Sequence, residues 1–335
     1  MLTSKRTTIK DLAKKLGINP STVSRALHNH PDVSRDMTAA VQKLADKMGY
    51  KPNQMAINLR NGHNKTIGLI VPEISMFFLP SVMKAIEEAT HARGYNLLIL
   101  HSNDSVQRES ENAELCLFNG VEGVLVSLTK QTHDIEHFAE LSYSGTPVVY
   151  FDKVLQPTLA HKIVISDEHA AQQGAAQLLS RLNLAAPQRI CGFFGDARLS
   201  ITQDRMRGFE AAIAEKEQAY SPDNLFFVDT IAAAYQTLKN LWQEAVRPTA
   251  LFVMSDEILA GVLKALGELR INVPNELQIV AMSDGFVPQL MVPAIPYIET
   301  SGYRMGKQAA ELLFDIIAGK AIEPDTHCID TPFVA

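Results

Sequence analysis

Along the first fifty residues, apolar side chains recur three and four positions apart. Ile9, Leu12, Ala13 and Leu16 form one such stripe, the spacing of a helix with one buried face. Thr8 precedes it as a cap, Asp11 sits in the first turn where the helix dipole favours an anion, and Gly17 follows to end it. Asn19 and Pro20 restart a helix at once, with Pro20 at the first helical position, where its missing N–H costs nothing. That second helix runs through STVSRALHN, with Val23 and Leu27 inward. A third fits SRDMTAAVQKLADKMG, capped by Ser34, closed by Gly49, and turning Val41, Leu44 and Met48 inward. Two short helices joined by a Gly-containing turn predict a helix-turn-helix.

From Lys65 the texture changes. TIGLIVPE, YNLLILHSN, VEGVLVSL and PVVYFD are short apolar runs separated by amphipathic stretches. The rhythm returns in RICGFFGD, LFFV, TALFVMSD and LQIVAMSD. Strands alternating with helices predict parallel βαβ units. About 270 residues of this exceed one ordinary α/β core, so two lobes are expected, with a ligand cleft at the carboxyl ends of their strands.

Charge sharpens this division. Residues 1–60 hold 11 Lys and Arg against 4 Asp and Glu, a balance of +7, whereas the rest of the chain carries -13. A basic first sixth on an acidic body is the footprint of a polyanion partner. Ser21, Thr22, Ser24, Arg25 and His28 lie on the outer faces of the second helix, where they can donate to phosphates or base edges, Arg25 in a bidentate manner to guanine.

The stretch TIKDLAKKLGINPSTVSRALHNHPDVS, followed by VQKLADKMGYKPNQMAINLR, resembles the headpiece of lactose-repressor (LacI/GalR) family regulators over about 55 residues. The resemblance implies that Pro20, Ser21 and Arg25 face base edges and that Thr8, Thr22, Ser24 and His28 lie near phosphates. Pro20 replaces the polar or aromatic reader of some members; it has no donor, so it offers shape or an apolar contact. The resemblance also puts Tyr50, Asn53, Ala56, Leu59 and Arg60 against DNA. Asn53 to Arg60 are eight residues, short of the ~12–15 that make a helix even marginally stable in water. This hinge is expected to fold only on DNA, and the resemblance implies that Leu59 wedges a minor-groove base step. One headpiece reads too few bases to select a site, so a homodimer on a near-palindromic operator is expected.

The body resembles the two-lobed, periplasmic-binding-protein-like core of the same family, more loosely. The expected organisation is a helix-turn-helix domain over 1–52, a hinge and linker over 53–64, and an effector-binding and dimerisation core over 65–335. The resemblance implies three chain crossings between lobes, near 161–163, 291–295 and 321–325. Lobe 1 would comprise about 65–161 and 295–321, and lobe 2 about 163–291 and 325–335. Carried over position by position, the cleft residues are Phe77 or Phe78, Asp152, Arg205, Ser255 and Ser283. Ser255 and Ser283 stand where sugar-binding members usually have Asn and Asp, so a free sugar, a phosphorylated sugar, an oligosaccharide fragment, a nucleobase-like ligand and a protein co-regulator all stay open. The expected role is a repressor of carbohydrate-utilisation genes.

Catalytic patterns are missing: the chain has no G-x-G-x-x-G, P-loop or G-x-S-x-G motif. Cys116, Cys191 and Cys328 are far apart, which disfavours a zinc site or a disulfide framework. His133 and His137, four apart on an expected helix, lack a third ligand. An enzyme, a cofactor and a metal are therefore not expected. The charged N-terminus without an apolar segment is no signal peptide, and no run of 18 apolar residues occurs; a cytoplasmic protein without membrane contact is expected.

Overall fold

The computed structural model describes residues 7–50, 64–74, 77–155, 159–183, 187–216 and 221–335. The chain divides into two compact units at Asn64 and Lys65.

The first unit holds three helices, α1 (Ile9–Leu16), α2 (Pro20–Leu27) and α3 (Arg35–Lys47). Thr8 and Asp11 form a reciprocal capping box: the Thr8 side chain accepts from the Asp11 N–H and the Asp11 carboxylate from the Thr8 N–H at 2.9 Å. Gly17 ends α1 in the left-handed region at φ 65°, and Ser34 accepts from the Met37 N–H to start α3. The buried core is Leu12, Ala13, Val23, Ala26, Val41 and Ala45. Ala26 and Ala45 take the buried positions expected of Leu27 and Leu44, and Leu27, Leu44 and Met48 close the rim as partly buried residues. Small alanines at the centre let three short helices approach closely. Asn53, Ala56, Leu59 and Arg60, the expected hinge, lie outside the described residues.

The second unit contains two six-stranded sheets. The first has the order β2-β1-β3-β4-β5-β11, all parallel: β1 (Thr66–Val71), β2 (Asn96–His101), β3 (Gly123–Val126), β4 (Val148–Phe151), β5 (His161–Ile165) and β11 (Thr326–Ile329). The second has the order β7-β6-β8-β9-β10-β12: β6 (Ile190–Phe194), β7 (Leu225–Phe227), β8 (Ala250–Val253), β9 (Gln278–Ser283), β10 (Tyr297–Glu299) and β12 (Phe333–Val334), of which only β10 and β12 pair antiparallel. β1, β3 and β4 bury nearly every residue, as do β6, β8 and β9. Helices cover both faces of such strands, which is why they read as continuous apolar runs.

Lobe 1 is clad by α4 (Phe78–Ala92), α5 (Val106–Phe118), α6 (Ala139–Tyr143) and α11 (Gly302–Ile317). Lobe 2 is clad by α7 (Asp167–Ser180), α8 (Ser200–Glu215), α9 (Ile231–Gln243) and α10 (Asp256–Leu269). Helix pairs cross at glycine in both lobes. A Cβ on Gly208 of α8 would stand 2.0 Å from the Glu168 carbonyl oxygen of α7, and one on Gly306 of α11 would stand 2.3 Å from that of Val82 in α4.

The crossings between lobes fall later than expected. β5 extends the first sheet beside β4, so the chain leaves lobe 1 between Ile165 and Asp167 rather than near 161–163. β10 still pairs with β9, which moves the return from 291–295 to 300–301. β11 pairs with β5 through Ile329, so the last crossing spans 330–332, not 321–325. A strand held by a backbone ladder stays with its sheet until the ladder ends, and each ladder outlasts the expected break.

Candidate functional site

The outward side of α2 collects the residues expected to read DNA. Pro20, Ser21, Arg25 and His28 are exposed, Thr22 and Ser24 half-exposed, and Thr8 is exposed beside them in sequence at the start of α1. Their availability follows from the packing: Val23 and Ala26 use the other face of α2. Arg25 makes a long contact of 3.8 Å to the exposed Asp32, and surface pairs of this kind are worth little. His28 is oriented by a 2.8 Å contact between Nδ1 and the Ser24 carbonyl oxygen. Tyr50 is half-buried against the three-helix core, and the Thr7 hydroxyl donates to the Met48 carbonyl nearby in the chain.

The body's cleft assembles five of the six expected effector residues. Phe77, Phe78, Asp152, Arg205 and Ser255 line one cavity of about 180 Å3, with Ile201, Met254 and Thr300. A larger cavity of about 410 Å3 adjoins it through Asp152, Lys153 and Ile201 and continues to Thr129, Lys130 and Arg198. Phe77, Phe78 and Asp152 come from lobe 1, Arg205 and Ser255 from lobe 2, so the cavity lies between the lobes. Phe77 at φ 74° and Asp152 at φ 58° both occupy the left-handed region. Non-glycine residues there carry a backbone cost of ~1–3 kcal/mol that clusters at functional sites.

Arg205 is buried, with 6% exposure. Its Nε donates to Asp167 Oδ1 at 2.7 Å and its Nη1 to the Met254 carbonyl at 2.5 Å. It thus ties α7, α8 and the end of β8 into one wall. Burial pushes the Asp167 carboxyl above its ordinary value, and the Arg205 charge opposes that rise. Asp152 Oδ2 accepts from the Ser127 hydroxyl at 3.3 Å and from Lys153 Nζ at 3.0 Å. Ser255 caps α10, its oxygen accepting from the Ile258 N–H at 3.4 Å. Its O–H remains for the cavity.

Ser283 lies elsewhere. It is buried, donates to Asp256 Oδ1, and accepts from the Gly285 N–H at 2.9 Å. Asp256 Oδ2 takes the Asp284 N–H at 2.8 Å, and the Asp284 carboxylate takes the Gly302 N–H at 2.6 Å. This chain of contacts ends at the start of α11, where the backbone returns to lobe 1. Burial raises both Asp256 and Asp284 above the usual aspartate value.

Sequence reasoning missed Asp167, Lys153, Glu257 and the Thr129–Lys130 edge. Lys153 and Glu257 each follow an expected residue or its neighbour directly, so proximity was a usable signal. Asp167 had none, because the strand before it went unread. His133 and His137 do not share a helix: only Glu136–Phe138 makes a single 3-10 turn there, and His137 Nε2 lies 2.9 Å from the buried Glu109. Among the described residues no group of three His, Cys, Asp or Glu could hold a metal ion, and no helix is long and apolar enough to cross a membrane.

A basic helix-turn-helix unit and a two-lobed α/β body with an interlobe cavity define a class: DNA-binding regulators whose body carries an effector-binding core. Comparison with known proteins agrees. Residues 8–53 match the model of the bacterial regulatory proteins of the lacI family, and residues 188–334 that of the periplasmic binding protein-like domain. Residues 8–53 thus carry the DNA-binding domain of lacI-family regulators, and the chain is a DNA-binding transcriptional regulator with an effector-binding core. It is 29% identical over 313 residues to the ribose operon repressor of Bacillus subtilis (strain 168), covering 92% of this chain and 91% of that one. It is 26% identical over 317 residues to the HTH-type transcriptional repressor PurR of Haemophilus influenzae (strain PittEE), covering 93% and 92%. The Lac repressor dimer bound to operator and the anti-inducer ONPF shares the fold, with a TM-score of 0.84 over 99% of this chain and 98% of the other at 18% identity.

Proposed function

We propose that the protein represses carbohydrate-utilisation genes, binding a near-palindromic operator as a homodimer and releasing or gripping it according to a small uncharged, hydroxyl-rich effector in the interlobe cavity. The organisation that serves this is a reader over 1–52, a hinge over 53–64 and a sensing core over 65–335. Pro20, Ser21 and Arg25 face base edges, while Thr8, Thr22, Ser24 and His28 steady the backbone contact. Tyr50, Asn53, Ala56, Leu59 and Arg60 complete the DNA set.

The observation that carries the effector class is the pairing of charges around the cleft. Lys153 is paired with Asp152 at 3.0 Å, Arg205 with Asp167 at 2.7 Å, Lys130 with Asp104 at 3.4 Å, and Arg198 with Asp196 at 2.5 Å. Asp204, Asp256 and Glu257 add further carboxylates to the lining. A phosphate dianion would meet cations already neutralised and an excess of acceptors. Hydroxyl groups instead supply donors to Asp152 and Glu257, and the rings of Phe77 and Phe78 cover an apolar face. Ser283 acts behind this wall through Asp256.

Support for a dimer comes from the outer edges of both sheets. Ile99 on the edge strand β2 and Phe227 on the edge strand β7 are exposed, and Phe118, the last residue of α5, is 88% exposed. Large apolar side chains gathered at unpaired sheet edges are the usual material of an interface.

A thermal-shift series with ribose, cellobiose, fructose 1-phosphate and hypoxanthine tests the reading. An uncharged sugar should raise Tm, and Asp152→Asn should weaken its binding about 10- to 100-fold, as for loss of a charged hydrogen bond. A shift given by fructose 1-phosphate alone contradicts the effector class, and a shift by hypoxanthine alone points to purine control.

A further inference from the structure

Lobe 1 holds a second cavity, of about 530 Å3, formed by the loop after β3, the short helix α6, Tyr150 of β4 and the segment that follows it. It shares only His133 and Leu155 with the interlobe cavities. Its walls are aromatic: Phe138 and Tyr150 meet edge to face at 5.8 Å, and Tyr143 stands 88% exposed beside them. Asp134 and Glu136 are exposed among its lining residues, which include no Lys or Arg.

Two features set this cavity apart from a surface dent. Tyr150 is only 5% exposed, yet among the described residues its hydroxyl has no hydrogen-bond partner. Burial pushes that hydroxyl well above the ordinary tyrosine value, so it stays a neutral phenol. Tyr150 lines the cavity, so its hydroxyl is available there to a ligand as donor or acceptor. The wall is also preformed. Buried Glu109 on α5 accepts from the Thr129 N–H at 2.8 Å and the Thr132 hydroxyl at 2.7 Å, and lies 2.9 Å from His137 Nε2. One carboxylate thereby pins three points of the loop that separates this cavity from the cleft.

The geometry points to a second ligand site here, taking a small planar aromatic compound that carries a cationic group. The ring lies among Phe138, Tyr143 and Tyr150, where stacking and cation–π attraction both act. A ring N–H donates to the Tyr150 oxygen, and the cation faces Asp134 and Glu136. Because His133 and Leu155 line both cavities, occupancy here is felt in the cleft. This site stands independently of the effector class argued for the cleft.

Tryptamine and indole-3-propionate, which share a ring and differ in the sign of their charge, are the probes, titrated into the full-length protein by calorimetry. Tryptamine should bind at least tenfold more tightly than indole-3-propionate. Tyr150→Phe should weaken tryptamine about 3- to 10-fold, the loss of one hydrogen bond. Ala139→Trp, which fills the cavity, should abolish binding; should that variant fail to fold, the conservative Tyr150→Phe and the surface pair Asp134→Asn/Glu136→Gln carry the test. Equal binding of the two probes, no binding of tryptamine to the wild type, or tryptamine binding untouched by all folded variants would overturn the site.

Discussion

Ser283 and Asp256 form a buried contact whose purpose is visible only in three dimensions. The Ser283 hydroxyl donates to Asp256, Asp256 accepts from the Asp284 N–H, and the Asp284 carboxylate takes the Gly302 N–H where the chain returns to lobe 1. Ser283→Ala removes one donor from a buried carboxylate, and such a loss costs ~1–3 kcal/mol. Tm should fall by several degrees, while affinity for the compound giving the largest thermal shift stays within about twofold. A loss of ligand affinity without a loss of Tm would mean that Ser283 touches ligand. Glu257 offers a pH test. Burial, then the charge of Glu73, raises its carboxyl above the ordinary 4.5. A raised folded value means that ionisation in the fold is disfavoured: the cost is full above the folded pKa, shrinks as pH falls toward 4.5, and is gone below it. Glu257→Gln should therefore be more stable than wild type at pH 7, with the two Tm curves converging near pH 4. Curves that stay parallel would contradict the assignment. At this scale Asp152, Arg205 and the phenylalanines were legible because each flanks a recognisable strand or motif. Asp167 was not, since its partner Arg205 lies 38 positions away and only the crossing of α7 and α8 brings them together.

The helices and strands sort by how strongly their pattern repeats. α1 to α3 show caps and periodic apolar residues, so sequence delivers them with only the alanine-for-leucine exchange in the core. The buried strands β1, β3, β4, β6, β8 and β9 announce themselves as apolar runs. β5 does not: it opens on His161 and Lys162, and its last ladder partner is the equally plain β11. α7 is masked by its small residues, Ala170, Ala171, Gly174 and Ala175, which are buried because neighbouring elements come very close. The crossings implied by the resemblance fall short of the observed ones because the β4–β5, β9–β10 and β5–β11 ladders continue past them. The same closeness gives a paired test by chemical denaturation. Gly208→Ala places a methyl against the Glu168 backbone and should destabilise by about 1–3 kcal/mol. Gly267→Ala, in α10 with open space around it, should stabilise by about 0.5–1 kcal/mol. Equal effects would show that the α7–α8 crossing is looser than the structure has it.

For the whole molecule, the account joins a basic reader to an acidic sensing body. The charge contrast between residues 1–60 and the remainder makes the reader the DNA-facing unit and predicts binding that weakens steeply with salt. Control follows if ligand in the cleft favours one arrangement of the two lobes and that arrangement sets the spacing of two hinges. Coupling of this kind is reciprocal: whatever factor the ligand imposes on DNA affinity, DNA imposes on ligand affinity. The measurement that tests this most directly is the anisotropy of a labelled palindromic duplex, selected from a random pool on the full-length protein, titrated with and without the compound that gives the largest thermal shift. The account predicts a change in Kd of about tenfold, within the usual range of allosteric coupling, in either direction, and the same factor in ligand affinity when the duplex is present. An unchanged duplex affinity at saturating ligand would contradict it.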